Sequence, residues 1–258
     1  MRRGRSGFPC VVLLLLALAI PSAGQVAVRT VAEEFLRTLP LGSGGVFQLS
    51  NVNGSVYVDA WEKELVEIRA VKSTRGNPLD LERVRVVAEP VAQGVSVKAL
   101  YPEDDGVEVT VEFRIRVPSR VLLRNVQTVN GSIRIRGVEG AGVLRSVNGG
   151  VEVLDGAGRF DARTTNGNIR VELRHLPAGS PISMGTVNGS VVLALPADAD
   201  AELDVLSMNG DFRSELRLVL KGAAGSRAYR GRLGRGGGAI KVRTVNGGIR
   251  VVAARPTV

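Results

Sequence analysis

The chain has one cysteine in 258 residues, Cys10, and it lies in an apolar run near the start. Everything after that run is free of cysteine, which removes disulfides, thiolate catalysis and Cys-ligated metals together. There is one histidine, His175, in Leu173-Arg-His-Leu-Pro177. No Ser-His-Asp set and no His-rich metal spacing can be built around it, and it is expected at a surface corner. Aromatics make up 4% of the chain and no basic helix is in sight, so stacking platforms and recognition helices are both missing and nucleic acid is not expected as a partner. Gly234-Arg-Gly-Gly-Gly238 has no Lys-Ser/Thr ending and no helix pattern after it, which excludes a phosphate loop. The acidic clusters are Glu103-Asp-Asp105 and Asp198-Ala-Asp-Ala-Glu-Leu-Asp204. In the second, Asp198, Asp200, Glu202 and Asp204 share one strand face, a set of hard oxygens without the glycine loop of a calcium site, and a solvated strand edge is the expectation. No catalytic residue, cofactor or metal is expected.

What is present begins with export signals. Arg2, Arg3 and Arg5 precede Val11-Val-Leu-Leu-Leu-Leu-Ala-Leu-Ala-Ile20, and Pro21-Ser-Ala-Gly24 supplies small residues. The run is short for a bilayer span, so residues 1–24 are expected to be a cleaved signal peptide, leaving a mature chain with no transmembrane span. Cys10 is not in a lipobox context, so no lipid anchor is expected. Without the three leader arginines the formal charge of +9 falls to +6, a moderate excess that suits anionic surfaces.

The rest is organised by a repeat. Thr128-Val-Asn-Gly-Ser-Ile-Arg-Ile135 recurs with small changes, aligned on Asn130-Gly131, Asn148-Gly149, Asn166-Gly167, Asn188-Gly189, Asn209-Gly210 and Asn246-Gly247, with an outlying copy at Asn53-Gly54. The step is 18 residues twice, then 22, 21 and 37, the last close to two steps. Asn-Gly between alternating apolar residues is a strong signal for a two-residue hairpin. Copies at a near-constant step fit better with coils of a β-solenoid, each Asn-Gly turning a corner and stacking on its counterpart one coil away. At ~3.3 Å per residue, 18 residues trace roughly 60 Å, enough for two sides and two corners.

The columns of the repeat carry further expectations. Each Asn-Gly is followed by x-apolar-x-apolar, as in Ile133 and Ile135 or Val151 and Val153, the period of a strand buried on one face. Thr128, Ser146, Thr164, Thr186, Ser207 and Thr244 stand two residues before each Asn, where a hydroxyl is placed to bond along the stack or to the corner backbone. One residue earlier come Arg145, Arg163 and Arg243, a basic strip that is either solubilising or a ligand face.

Upstream, Thr30 to Leu39 suits one helical turn or an entering strand, and strands are expected over 46–50, 55–60, 65–72, 84–88, 95–100 and 107–117 as an antiparallel sheet with one wet face. Tyr57 and Trp61, after the first Asn-Gly, are expected to cap the core of the first coil, with contact to a sugar as the alternative. The fold class expected is therefore all-β: a β-solenoid of single-stranded β-helix-like coils over 121–258, continuous with an N-terminal β-strand region over 25–120 that caps it. The last coil, 239–253, is expected to close the stack, after a Gly-rich stretch from 221 to 238 that by composition is the most flexible.

Leu49-Ser-Asn-Val-Asn-Gly-Ser-Val-Tyr-Val-Asp-Ala-Trp61, Phe113-Arg-Ile-Arg-Val-Pro118, the Thr-Val-Asn-Gly coils and Gly236-Gly-Gly-Ala-Ile-Lys-Val-Arg-Thr-Val-Asn-Gly247 together resemble the bacterial putative-adhesin family, a domain of unknown function with β-strand repeats akin to autotransporter adhesin head domains. The resemblance covers nearly all of the chain after the leader. It implies an exported, non-enzymatic envelope protein, located in the periplasm, on the outer surface or secreted, and brings no catalytic residues with it. The function expected is an adhesive or structural scaffold meeting envelope or host polysaccharide, or another envelope protein, through an Arg/Thr/Asn face. The rival expectations are a polysaccharide-processing β-helix enzyme and an assembly or stress partner that binds through a solenoid edge.

Overall fold

The computed structural model describes residues 30–103, 106–177, 179, 181–221 and 227–254. The expected signal peptide lies outside the described residues. Alternation of apolar and polar residues drives nearly every element: in β7 (Val109–Pro118), Val109, Val111, Phe113, Ile115 and Val117 are all buried while Thr110, Arg114 and Arg116 face water. The result is a β-solenoid capped by antiparallel strands.

Two ladders form its sides. The first runs through β6 (Gly94–Leu100), β2 (Val46–Ser50), β8 (Arg120–Asn130), β10 (Glu139–Asn148), the second half of β11 (Val151–Asn166), β13 (Ile182–Asn188), β19 (Gly238–Asn246) and β15 (Ala201–Asn209), all parallel. The second runs through β7, β3 (Val56–Trp61), β9 (Ile133–Arg136), the start of β11, β12 (Ile169–His175), β14 (Val191–Leu195), β20 (Ile249–Ala253) and β16 (Phe212–Ser214), again parallel. Each Asn-Gly carries the chain from the first ladder to the second. The side chains turned inward from both ladders make one continuous core, with Phe47, Phe113 and Phe160 its largest fully buried members.

Antiparallel strands close the two ends. At one, β5 (Arg85–Val91) pairs with β6, and β1 (Val31–Pro40) pairs with β4 (Leu65–Thr74), which pairs with β7. A single helical turn, α1 (Asp80–Arg83), supports this cap: the buried Lys72 ammonium donates to the carbonyls of Leu81 and Val84 and meets Glu33 at 3.0 Å. At the other end β18 (Ala228–Leu233) pairs with β15 and with β17 (Leu218–Leu220). Both terminal edges of the first ladder are blunted, one by Pro90 and one by a strand of three residues.

Several sequence expectations change. Thr30 to Leu39 gives strand β1 and no helical turn. The strands expected to form an antiparallel sheet upstream of residue 120 are mixed: β2 and β3 pair in parallel with β8 and β9 and form a full coil. Parallel pairing follows because the chain travels once round the coil before each strand meets its neighbour. Within the Gly-rich stretch, residues 228–233 are the strand β18.

The coil order also departs from the chain order. The coil β19–β20 does not close the stack. It lies between β13–β14 and β15–β16, with Asn246 opposite both Asn188 and Asn209. Leu233 and Gly238 flank Ala201 on its two sides, so the turn between them passes beneath the start of β15. Asp200 holds that turn: its carboxylate accepts from the Arg235 backbone N–H at 2.6 Å and from its guanidinium at 3.0 Å. The backbone bond, followed by the guanidinium, lowers the Asp200 pKa below the ordinary carboxylate value.

Candidate ligand-binding face

The corners bring the predicted asparagines into a single file. Asn130 donates its side-chain amide to Asn53, Asn148 to Asn130, Asn166 to Asn148, Asn188 to Asn166 and Asn246 to Asn188, each at 2.8 Å, and Asn209 donates to Asn246 at 2.9 Å. None of these asparagines has positive φ, so the hairpin turn geometry that favours Asn-Gly is not what places them here. The glycine beside each is required by close approach: a Cβ on Gly167 would lie 2.2 Å from the Gly149 carbonyl oxygen of the neighbouring coil. Gly54, Gly131, Gly149, Gly189, Gly210 and Gly247 meet the same obstacle.

The hydroxyl column is buried and bonds to that corner backbone. Thr128 donates to the Gly54 carbonyl, Ser146 to Gly131, Thr164 to Gly149, Thr186 to Gly167 and Thr244 to Gly189, at 2.8–3.0 Å. Ser207 donates to Gly247 at 3.0 Å. These hydroxyls are therefore structural; what the corners leave for a partner is the outward face of the first ladder.

On that face the three arginines do meet. Arg145 pairs in register with Arg163, Arg163 with Gly185 and Gly185 with Arg243. They line one groove of about 770 Å³ together with Ser50, Gln127, Gly185 and the exposed valines 129, 147 and 187. Arg163 is held by Asp161 on its own strand at 3.0 Å. Arg243 is held by Asp204 on the adjacent strand at 2.6 Å. Arg145 has no ion-pair partner among the described residues, so it carries the free charge of the column.

A second groove, about 660 Å³, adjoins the first and shares Arg163 and Ser183 with it. Arg124, Arg159 and Lys241 line it, none with an ion-pair partner among the described residues. Sequence reasoning missed these three. Arg159 and Lys241 lie four and two residues before Arg163 and Arg243, so strand parity places them on the same outward face. Arg124 gives no such signal, because a bulge shifts the register of β8 against β10 between Gly142 and Leu144.

Other candidates resolve into structural roles. Of the four acids expected at a strand edge, Asp198 is exposed ahead of β15 and the other three are separately engaged, Asp200 by Arg235, Glu202 by Lys221 and Asp204 by Arg243. Among the described residues no group of three His, Cys, Asp or Glu side chains is placed to hold a metal. His175 is exposed at the end of β12. Tyr57 and Trp61 do not cap the core. Tyr57 lies on the outward face of the second ladder between Arg114 and Arg134, and Trp61 meets Lys63 and Arg116, with the cations 5.0–5.9 Å from the ring centres. Tyr101 braces the first corner, its phenol donating to the carbonyls of Asn53 and Val109 at 3.2 Å. Burial pushes its pKa up to about 12, against a smaller opposing effect of the Asn53 hydrogen bond.

Residues 119–252, more than half of the chain, match the Toastrack DUF4097 family model. The chain belongs to the Toastrack DUF4097 family. The family match thus takes in six of the seven Asn-Gly corners and every arginine of the two grooves, while the coil at Asn53 lies upstream of it. No curated protein matches this Toastrack chain. Among solved structures it is similar to a "putative cell adhesion protein" of Clostridium sporogenes, 10% identical, with 86% of this chain and 99% of that one covered at a TM-score of 0.47. It is also similar to a "putative adhesin" of Bacteroides fragilis, 9% identical, covering 84% and 96% at 0.38. A "putative lipid binding protein" of Parabacteroides distasonis is 6% identical, covering 86% and 97% at 0.31.

Proposed function

We propose that this protein is an exported, non-enzymatic scaffold of the bacterial envelope whose repeat region, from residue 121 onward, binds an anionic polysaccharide along the outward face of the first ladder. The observation that supports this reading is the stacking of Arg145, Arg163 and Arg243 in one groove, with Gln127 and Ser50 continuing the same file. Parallel coils repeat at ~4.8 Å, so the groove offers donors at whole multiples of one rung to a partner that is itself periodic, and each added contact strengthens the next by proximity. Asp161 and Asp204 hold two of the guanidiniums in place, which lowers the ordering cost of binding. The leader pattern at residues 1–24 supports export.

The test is binding of the purified mature chain to an array of acidic and neutral glycans at two salt concentrations, beside a variant with Arg145, Arg163 and Arg243 changed to Ser. Binding to acidic glycans that weakens with salt and is lost in the triple variant is the expected result. A variant that binds as well as the parent overturns the assignment.

A further inference from the structure

The arginine column is interrupted at one position. Gly185 stands where its neighbours on either side are Arg163 and Arg243, and a Cβ built on it has nothing within 4 Å. The two guanidinium-bearing strands are therefore two rungs apart, about 9.6 Å, with bare backbone and open space between them. Neither arginine is exhausted by its acid partner. Arg163 bonds to Asp161 through Nε and Nη2, leaving Nη1 free. Arg243 bonds through Nη1 and Nη2, leaving Nε. The Ser183 side chain lies on the same outward face two residues before the notch, and the exposed Val187 stands two residues after it. A full arginine file would fill this space with side chains that repel one another; a glycine leaves room for a small charged group between two fixed cations.

We propose that the notch at Gly185, between Arg163 and Arg243, is a subsite for one oxyanion group, a carboxylate or a sulfate, carried on a polysaccharide. This rests on the anionic-polysaccharide reading of the face, and it locates on that face the point where one charged group enters. Arg145, one rung beyond Arg163 and free of an acid partner, meets the next charge along the polymer.

The notch is testable without altering any charge, because the space at Gly185 accepts a side chain. Affinities for polygalacturonate, for dextran sulfate and for neutral dextran are measured with the parent, Gly185→Leu, Gly185→Ala and an Arg250→Ser control on the opposite ladder. The parent and the control are expected to bind at least one anionic polymer and not dextran, the preferred polymer telling carboxylate from sulfate. Gly185→Leu is expected to bind at least tenfold more weakly with no fall in melting temperature, and Gly185→Ala to lie between. In a double-mutant cycle, Arg163→Gln and Arg243→Gln are expected to be non-additive by threefold or more, since both act on one anion. This cycle decides the matter even if Gly185→Leu folds poorly. Gly185→Leu binding within twofold of the parent, or strict additivity in the cycle, overturns the subsite. If the triple arginine variant loses binding while Gly185→Leu keeps it, the face stands and the notch does not. If the parent binds neither anionic polymer, both fail.

Discussion

Asn246 donates its side-chain amide to Asn188 over 2.8 Å although 58 residues separate them. Asn209, nearer in the chain, stands on the other side of Asn246 and donates to it. The last coil is thus an internal rung of the stack. Deleting residues 238–258 is expected to expose two strand edges, on β13 and β15, where loss of a terminal coil would expose one. Hydrogen exchange should show amide protection falling on both strands. Loss confined to β15 alone would contradict the intercalated order.

Two glycines, Gly167 at the corner after β11 and Gly185 within β13, are predicted to respond in opposite ways. Gly167→Ala drives a methyl against the Gly149 carbonyl oxygen and is expected to cost about 2–3 kcal/mol, as overpacking does. Gly185→Ala meets nothing and is expected to stabilise by roughly 0.5 kcal/mol through the reduced freedom of the unfolded chain. Denaturant melts of the two variants measure both.

The buried Thr164 hydroxyl donates to the Gly149 carbonyl oxygen at 2.8 Å. Thr164→Val keeps the shape and removes the donor. It is expected to cost about 1–3 kcal/mol, the cost of an unpaired buried acceptor. Thr165→Val, one residue on and exposed, should be close to neutral.

Asn166 both donates to Asn148 and accepts from Asn188. Asn166→Ala breaks the amide file in its middle and is expected to cost about 1–2 kcal/mol, two exposed hydrogen bonds at the lower end of their usual range. Asn166→Asp keeps only the acceptor side and should lie between Ala and the parent. Chemical denaturation at pH 7 ranks the three.

Tyr101 sets a high-pH prediction. Its folded pKa of about 12 lies above the ordinary 10, so the unfolded chain loses its proton first. The stabilisation from the neutral phenol is fully present below pH 10 and is lost as pH rises from 10 through 12. Tyr101→Phe, which cannot ionise, should show a shallower fall in melting temperature across that window than the parent. Equal slopes would show that the phenol does not titrate with unfolding.

Much of this was legible in the residues. Period-two alternation after each Asn-Gly marks strands and their buried faces, because side-chain direction in a strand is a local property. The repeat step marks coils that stack in register, and the columns of Asn, Thr and Arg follow from it, as Asn130 and Asn148 or Arg145 and Arg163 show. The same parity turns Tyr57 outward, against the expectation that it caps the core: it stands between the buried Val56 and Val58.

The order of the coils was decided by tertiary structure alone. Every coil presents the same kind of edge, with a hydroxyl residue, Thr or Ser, and then Asn and Gly at matching positions, so the edge of β13 accepts β15 or β19 equally well by sequence. The short glycine turn held by Asp200, and the cap made by β18, determine which one enters. That choice places Arg243 two rungs from Arg163, beside Asp204, with Gly185 open between the two arginines. The sequence determined which residues form a column; chain connection and end capping determined which members of the column are neighbours, and so made the face.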